Sequence, residues 1–369
     1  MNQKYHRQIL LKELGTEGQE KLLKAKVLVI GAGGLGCPAL QYLAAAGIGH
    51  IGIVDYDIIE ITNLHRQILY NTLDIGLPKA IIAAKKLQLL NPDIIITPYH
   101  FRLTNRNALE LLKDYDVIID GSDNFATRYL INDACFLLKK TLIYGAIFRF
   151  EGQIAVFNQN QPTSVNFRDL FANPPNPSNS PACNIAGVLG VIPGIIGSLQ
   201  ATEAIKIIAE IGVPLYNCLL TYNALYNQSY QIQITPNPAS IQFMPKNRTE
   251  FEFFDYFGFC STYDDFREIS PQTFETLLQT SDKLTIIDVR EPFEMPLISH
   301  FPHLKIPLPE LAKHINSLPS NNTIVVFCQS GQRSRQAYSI IKQHRDDLSI
   351  FSLAGGIEDW LITYKSRIV

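Results

Sequence analysis

The sequence predicts an α/β protein of two units: a doubly wound, mostly parallel domain with an antiparallel extension, then a smaller α/β domain. Three observations carry this. A β-branched run at 26–30 ends in Gly31-Ala-Gly33-Gly34-Leu-Gly36 and is followed by helix formers. Short apolar runs then alternate with helical spacing as far as Gly145. A second βα series begins near Phe266, after a stretch rich in proline and aromatic residues.

The elements follow in order. Residues 26–30, 38–46 and 50–54 read as strand, helix and strand around the glycine turn, a βαβ unit closing on Asp55. Apolar spacing predicts helices over 79–90, 108–113 and 127–140, with strands at 94–98, 116–120 and 141–144. Segments 149–157 and 217–235 alternate like antiparallel strands. Between them, 158–181 is rich in Asn, Pro and Ser and reads as an irregular crossing loop. Residues 197–211 read as a helix with Gly212 as its C-cap. Residues 241–265 read as a linker between domains at 1–240 and 266–369. In the second domain, 284–289, 323–327 and 349–353 are strands and 334–343 is a helix.

Composition narrows the function. Net charge is −2, so there is no basic footprint for nucleic acid and no polybasic membrane patch. The N-terminus has no signal-peptide apolar core, and the longest apolar run, 187–199, is broken by Pro193 and glycines. A cytoplasmic protein is expected. Its six cysteines form no C-x-x-C pair and no disulfide framework, so each is a core thiol or a nucleophile.

The glycine loop lets backbone N–H groups approach phosphates at a helix N-terminus, and Asp55 can hydrogen-bond ribose hydroxyls. Alone, this pattern points by default to a nicotinamide or flavin enzyme. The next segment, Asp55-Tyr-Asp57 through Asn63-Leu-His-Arg66-Gln67 to Gly76-Leu-Pro-Lys79, adds two cations past the second strand. Cations there suit attack on a triphosphate, where charge builds on the α-phosphate and on leaving pyrophosphate. Asp123, in Asp120-Gly-Ser-Asp123-Asn124, stands at the carboxyl end of a strand, a useful place for a magnesium ligand.

Together, G-A-G-G-L-G, the D-x-D…N-L-x-R-Q run, G-x-P-K, D-G-S-D-N and the opening Tyr5-His-Arg7-Gln8 resemble the MoeB/ThiF (ubiquitin-activating-like) adenylyltransferases over about residues 1–235. The resemblance implies a Rossmann-like activating-enzyme domain that uses ATP and magnesium. It implies that Gly31, Gly33, Gly34 and Gly36 cradle the nucleotide and Asp55 holds ribose. Asn63, Arg66, Gln67 and Lys79 would lie at the phosphates, Asp123 would support magnesium, and Arg7 would reach the partner's ATP across a homodimer. The implied substrate is the C-terminal Gly-Gly carboxylate of a small ubiquitin-fold sulfur carrier of the MoaD/ThiS type.

Cys183, in a loop before Ala186-Gly187-Val188, is placed to attack an acyl-adenylate; the other reading is a semi-buried thiol. Cys37, Cys135, Cys218 and Cys260 read as packing residues. Many members of the resembled family carry a zinc on two C-x-x-C pairs. Here the corresponding places read Asn166-Phe-Arg-Asp169 and Met244-Pro-Lys-Asn, without cysteine, so no zinc is expected.

In the second domain, Cys328-Gln-Ser-Gly331-Gln-Arg333-Ser334 runs from a strand into a helix. Consecutive N–H groups and a helix N-terminus stabilise an anion there, and Arg333 adds charge. With Ala354-Gly-Gly-Ile357 and Trp360, this resembles a rhodanese domain, whose cysteine carries sulfane sulfur. Asp288 and Arg290 read as a structural ion pair. The resulting expectation is an adenylyltransferase with a fused sulfurtransferase. It would serve molybdopterin or thiamine-thiazole synthesis and draw sulfur from a persulfide donor such as a cysteine desulfurase. The alternatives are a non-catalytic carrier-binding scaffold, or a nicotinamide- or flavin-dependent oxidoreductase with a fused persulfide domain.

Overall fold

The protein is represented by a computed structural model that describes residues 3–159, 163–174, 187–260, 266–345 and 347–364. It divides into two compact units, Met1–Cys260 and Ser261–Val369.

The first unit opens with α1 (His6–Ile9) and α2 (Gly15–Lys24). Then come β1 (Lys26–Ile30), α3 (Gly36–Ala46), β2 (His50–Val54), α4 (Lys79–Leu90), β3 (Ile95–Tyr99), α5 (Ala108–Leu112), β4 (Val117–Asp120) and α6 (Phe125–Leu138). A hairpin of β5 (Thr141–Phe148) and β6 (Glu151–Phe157) follows, then α7 (Phe167–Leu170), α8 (Val191–Ala209), β7 (Cys218–Asn223) and β8 (Gln228–Gln233). The sheet runs β3-β2-β1-β4-β5-β6-β7-β8. Its first five strands are parallel and the last three antiparallel, as the alternation of the sequence indicates. β1 and β4 are apolar almost throughout because helices cover both of their faces. β8 is polar and exposed along its length, which suits an edge strand.

Three expectations are corrected. α8 begins at Val191 rather than 197. Pro193 falls in its first turn, where the missing N–H has no helical partner to lose. The left-handed residue that ends this helix is Glu210 (φ 57°) and not Gly212. By length and composition α8 could span a membrane; here it packs against α3, β5 and β6.

The third correction concerns 241–260, read as linker. This stretch forms α9 (Arg248–Phe253) and α10 (Tyr256–Cys260) and belongs to the first unit. Phe251 and Tyr256 are buried in the core beneath α6. The reason is a fully buried ion pair between Arg168 of α7 and Asp133 of α6, with Nη2–Oδ2 at 2.7 Å and Nε–Oδ1 at 2.9 Å. Tyr256 donates to the same carboxylate at 3.0 Å. The guanidinium lies 4.9 Å from the ring centroids of both Tyr129 and Phe259. Desolvating two charges is costly unless their hydrogen bonds are supplied, and three segments converge to supply them for all but Arg168 Nη1.

A second tie joins the same regions. Asn166 and Asp169 form a capping box that opens α7. The Asp169 carboxylate accepts from Asn166 N (2.8 Å), Asn166 Nδ2 (2.7 Å), Asn237 N (2.8 Å) and Ser240 Oγ (2.7 Å).

The second unit contains β9 (Glu268–Ile269), α11 (Pro271–Thr280), β10 (Leu284–Asp288), β11 (Leu304–Lys305), α12 (Leu311–His314), β12 (Thr323–Phe327), α13 (Gln332–His344), β13 (Ser349–Leu353) and α14 (Gly356–Tyr364). Its strands are parallel, in the order β11-β10-β12-β13-β9. Apolar clusters cover the sheet, one containing Tyr338 and Ile341, the other Phe274 and Trp360.

Asp133→Ala leaves the Arg168 charge buried without its partner. It should cost the first unit about 3–5 kcal/mol, measured by denaturant unfolding of the full chain.

Candidate active sites

In the first unit, the chain leaves β1 to one side for β2 and returns on the other side as β4. The crevice between the carboxyl ends of β1 and β4 is therefore a topological switch point, where doubly wound sheets bind ligands. The glycine loop lies on one side of it and the 120–124 turn on the other. Gly31 adopts φ 95°, and a Cβ there would lie 2.7 Å from the carbonyl oxygen of Gly121. Only glycine permits both that dihedral and that approach.

Most of the sequence-predicted residues meet here. Asp55 Oδ2 accepts from Ala32 N inside the glycine loop at 2.8 Å. Burial pushes the Asp55 carboxyl above its ordinary range, and nearby Lys79 pulls it back. Gln67 and Arg66 lie against Gly33 and Gly34. Arg66 is held by Nη1 to Thr62 O at 3.0 Å. Asn63 is buried and caps its own turn, its Oδ1 accepting from Glu60 N at 3.2 Å. Lys79 is buried at the start of α4 and ion-paired to Asp57 at 3.1 Å. Asp123 is exposed at the mouth, beside Asn124, which caps α6 through Thr127 N at 2.9 Å.

Arg7 does not join them within one chain. Gln8 and Gln19 donate to Ala46 O, which places α1 at the far end of α3 from the glycine loop. An 11-residue helix separates the two ends, about 16 Å at the helical rise. Cys183 lies outside the described residues. Cys37, Cys135 and Cys218 are buried, and burial pushes Cys37 up to about 12, as expected of a packing thiol.

Sequence reasoning missed several residues here. Tyr70 donates to Ala32 O at 2.8 Å. Gln200 of α8 donates to Asp120 O at 2.7 Å, clamping the end of β4. Arg128 is buried over Phe125 and Tyr144 and reaches Ser122 O at 3.2 Å. Asp120 Oδ2, Gln67 Oε1 and Arg128 Nε are buried without a hydrogen-bond partner. Orphaned polar atoms at a switch point fit a polar ligand. The motif spacing carried no signal for Gln200, which arrives from a distant helix.

In the second unit, Cys328 is 1% exposed at the carboxyl end of β12. Its Sγ lies 3.7 Å from Ser334 Oγ, which in turn accepts from Ser352 Oγ at 3.0 Å. The loop turns at Gly331 (φ 89°) into α13. Gly356 (φ 64°) packs on it so closely that a Cβ would lie 2.6 Å from Cys328 O. That contact accounts for the A-G-G-I segment. Asp288 and Arg290 form the expected buried ion pair, and Arg290 also donates to Gln329 Oε1 of the loop at 3.1 Å. Arg333 makes a two-point ion pair with Glu294, Nη2–Oε2 at 2.6 Å. This partner was not read from the sequence.

These sites define a class: a switch-point nucleotide fold followed by a cysteine-loop sulfur-transfer fold. Comparison with known proteins bears this out. The chain matches the ThiF family over residues 5–241 and the rhodanese-like domain over 270–363. It belongs to the ThiF family, with a rhodanese-like domain following. It is 49% identical over 262 residues to a Thermus thermophilus protein named sulfur carrier protein adenylyltransferase, covering 70% of this chain and 96% of that one. It is 41% identical over 368 residues to a Mycobacterium tuberculosis protein named "Probable adenylyltransferase/sulfurtransferase MoeZ", covering 97% and 92%. An Arabidopsis thaliana protein, adenylyltransferase and sulfurtransferase MOCS3, is 37% identical over 386 residues, covering 97% and 82%. Among solved structures, Escherichia coli MccB shares the fold at TM-score 0.57 and 22% identity, covering 64% of this chain and 74% of that one.

The Arg333–Glu294 pair generates a pH prediction. Burial raises the Glu294 carboxyl, but the hydrogen bonds from Arg333 and the Glu291 N–H and the charges of Arg333 and Arg290 together outweigh it, so it sits below its ordinary value. The pair's contribution is therefore complete above the unfolded glutamate range and fades as pH falls through the depressed folded value. The single tryptophan, Trp360, reports this unit. Followed by its fluorescence, the native chain should lose stability on the acid side, and Glu294→Gln should flatten that loss.

Proposed function

We propose that the chain adenylates the C-terminal Gly-Gly carboxylate of a ubiquitin-fold sulfur carrier and then supplies sulfur to it from Cys328. The observation that carries this reading is the convergence of the glycine loop, Asp55, Arg66, Gln67 and Lys79 at one switch point, in a chain that also holds the Cys328 loop. The named relatives support the adenylyl reading over an oxidoreductase or a passive scaffold.

A carboxylate oxygen of the carrier attacks the α-phosphorus of ATP, and the bond to pyrophosphate breaks. Backbone N–H groups of the glycine loop, Arg66 and Lys79 stabilise the charge that develops. Asn63 and Gln67 hold the loop that presents Arg66. Asp123, exposed at the mouth, would hold magnesium, which would neutralise phosphate charge when bound. Sulfane sulfur arrives at Cys328 from a persulfide donor such as a cysteine desulfurase. The terminal sulfur of the Cys328 persulfide attacks the acyl carbon and releases AMP, leaving an acyl disulfide; the Cys183 thiolate then attacks the Cys328 sulfur, which frees the carrier thiocarboxylate and leaves a disulfide for an external dithiol to reduce. Molybdopterin or thiazole synthesis would consume that product in the cytoplasm.

Arg7 serves this chemistry only in trans, because it lies at the far end of α3 from its own glycine loop. Exposed apolar side chains, Leu10 and Leu11 beside it and Ile61, Ile68 and Leu73 near the site, suit a homodimer interface. A structural zinc does not fit this chain. Its expected places hold Asn166, Asp169 and a buried Met244, and the Asp169 carboxylate is taken by four donors.

ATP–pyrophosphate exchange tests the reading. The chain with a MoaD-like carrier ending in Gly-Gly should catalyse exchange, and a carrier lacking the terminal glycine should not. Cys328→Ala should retain exchange and lose thiocarboxylate formation; loss of exchange in that variant would contradict the division of labour. Metal analysis should find no stoichiometric zinc, and EDTA should leave the unfolding midpoint unmoved. Asp169→Ala should lower stability by about 1.5–3 kcal/mol.

A further inference from the structure

A lysine ammonium is buried at a cost unless it is paired. The Lys79 side chain is 8% exposed and that of its partner, Asp57, is 50% exposed. Asp57 grips Lys79 at two points. Its carbonyl accepts the Lys79 N–H at 2.9 Å, and its Oδ2 accepts from Nζ at 3.1 Å. Asp57 is itself fixed, its N–H donating to Asp55 Oδ1 at 2.8 Å. The other oxygen of Asp55 takes the N–H of Ala32. Tyr70 closes the ring, its hydroxyl lying 2.8 Å from Ala32 O and 3.3 Å from Lys79 O. The circuit therefore runs from the glycine loop through Asp55, Asp57, Lys79 and Tyr70 back to the glycine loop.

An ammonium on a four-carbon stem samples many rotamers, and one carboxylate selects among them. The backbone grip alone would fix the start of α4 and leave Nζ free to turn. The added bond to Oδ2 fixes the charge itself. Because the carboxylate is half exposed, an incoming phosphate can share the ammonium without opening the core.

We propose that Asp57 is the positioning residue for Lys79 in adenylyl transfer: it holds the ammonium beside the glycine loop and shares it with the phosphates as charge develops. This rests on the nucleotide-site reading above. Asp57 touches no reacting atom; it acts through Lys79.

The test is ATP–pyrophosphate exchange by the full-length chain with a MoaD-like Gly-Gly carrier, comparing wild type with Asp57→Ala, Asp57→Asn, Lys79→Ala and the Asp57→Ala/Lys79→Ala double variant. Asp57→Ala should lower kcat between about 10-fold and 100-fold, with the KM for ATP changed by less than about threefold. Asp57→Asn keeps an acceptor oxygen and should recover most of that loss. The double variant should be no slower than Lys79→Ala alone, because the aspartate has no second route to the reaction. Additive losses, or an unchanged kcat in Asp57→Ala while Lys79→Ala is inactive, would overturn the inference and leave the nucleotide site standing. Normal exchange in Lys79→Ala, or none in wild type, would overturn both.

Discussion

β1 and β4 pair side by side although β2, β3 and their helices separate them in the chain. That pairing, Ile30 opposite Asp120, brings the glycine loop against the 120–124 turn at backbone distance. Every other part of the proposed nucleotide site is built outward from it. Asp55 enters from β2 on one flank and binds the glycine loop through Ala32. Gln200 enters from α8 and fastens the carbonyl of Asp120. A side chain at Gly31 would separate the two turns, so the close approach and the site are one constraint.

Charge is placed in this molecule with little freedom. Asp133 and Arg168 are wholly buried, and their pairing draws α6, α7 and α10 together. Such a pair contributes less net stability than its distances suggest, because desolvation offsets much of the attraction. Its effect is to permit one arrangement, since any other leaves a charge unpaired in an aromatic cage. Asp169 acts similarly at the surface end of the same region, collecting four donors from two segments. Two carboxylates, those of Asp133 and Asp169, thus tie this lobe together.

The second unit repeats the strategy around sulfur. Cys328 stands above a pair of buried serines, and the Arg290–Asp288 pair steadies Gln329 of the same loop. Arg333 is anchored by Glu294 at the rim. In the proposed sulfur transfer a rigid loop would serve to hold consecutive N–H groups toward one small anion.

The sequence alone determined the strand order of chemistry: glycine loop after β1, carboxylate after β2, cations between β2 and the first turn of α4, carboxylate after β4, and a cysteine loop after β12. These are local features, because each follows from spacing within one strand–turn–helix unit. Periodicity likewise revealed the parallel and antiparallel halves of the first sheet. What it missed depended on distance. The stretch 241–260 read as linker because Pro245 and its aromatics carry no periodicity; it is core because Arg168 and Asp133 require Tyr256 and Phe259 around them. Gln200, Arg128 and the Lys79–Asp57 pair were silent for the same reason. Their roles lie in contacts between elements, and which side chain meets which buried charge is decided only when the sheet closes and burial makes an unpaired group costly.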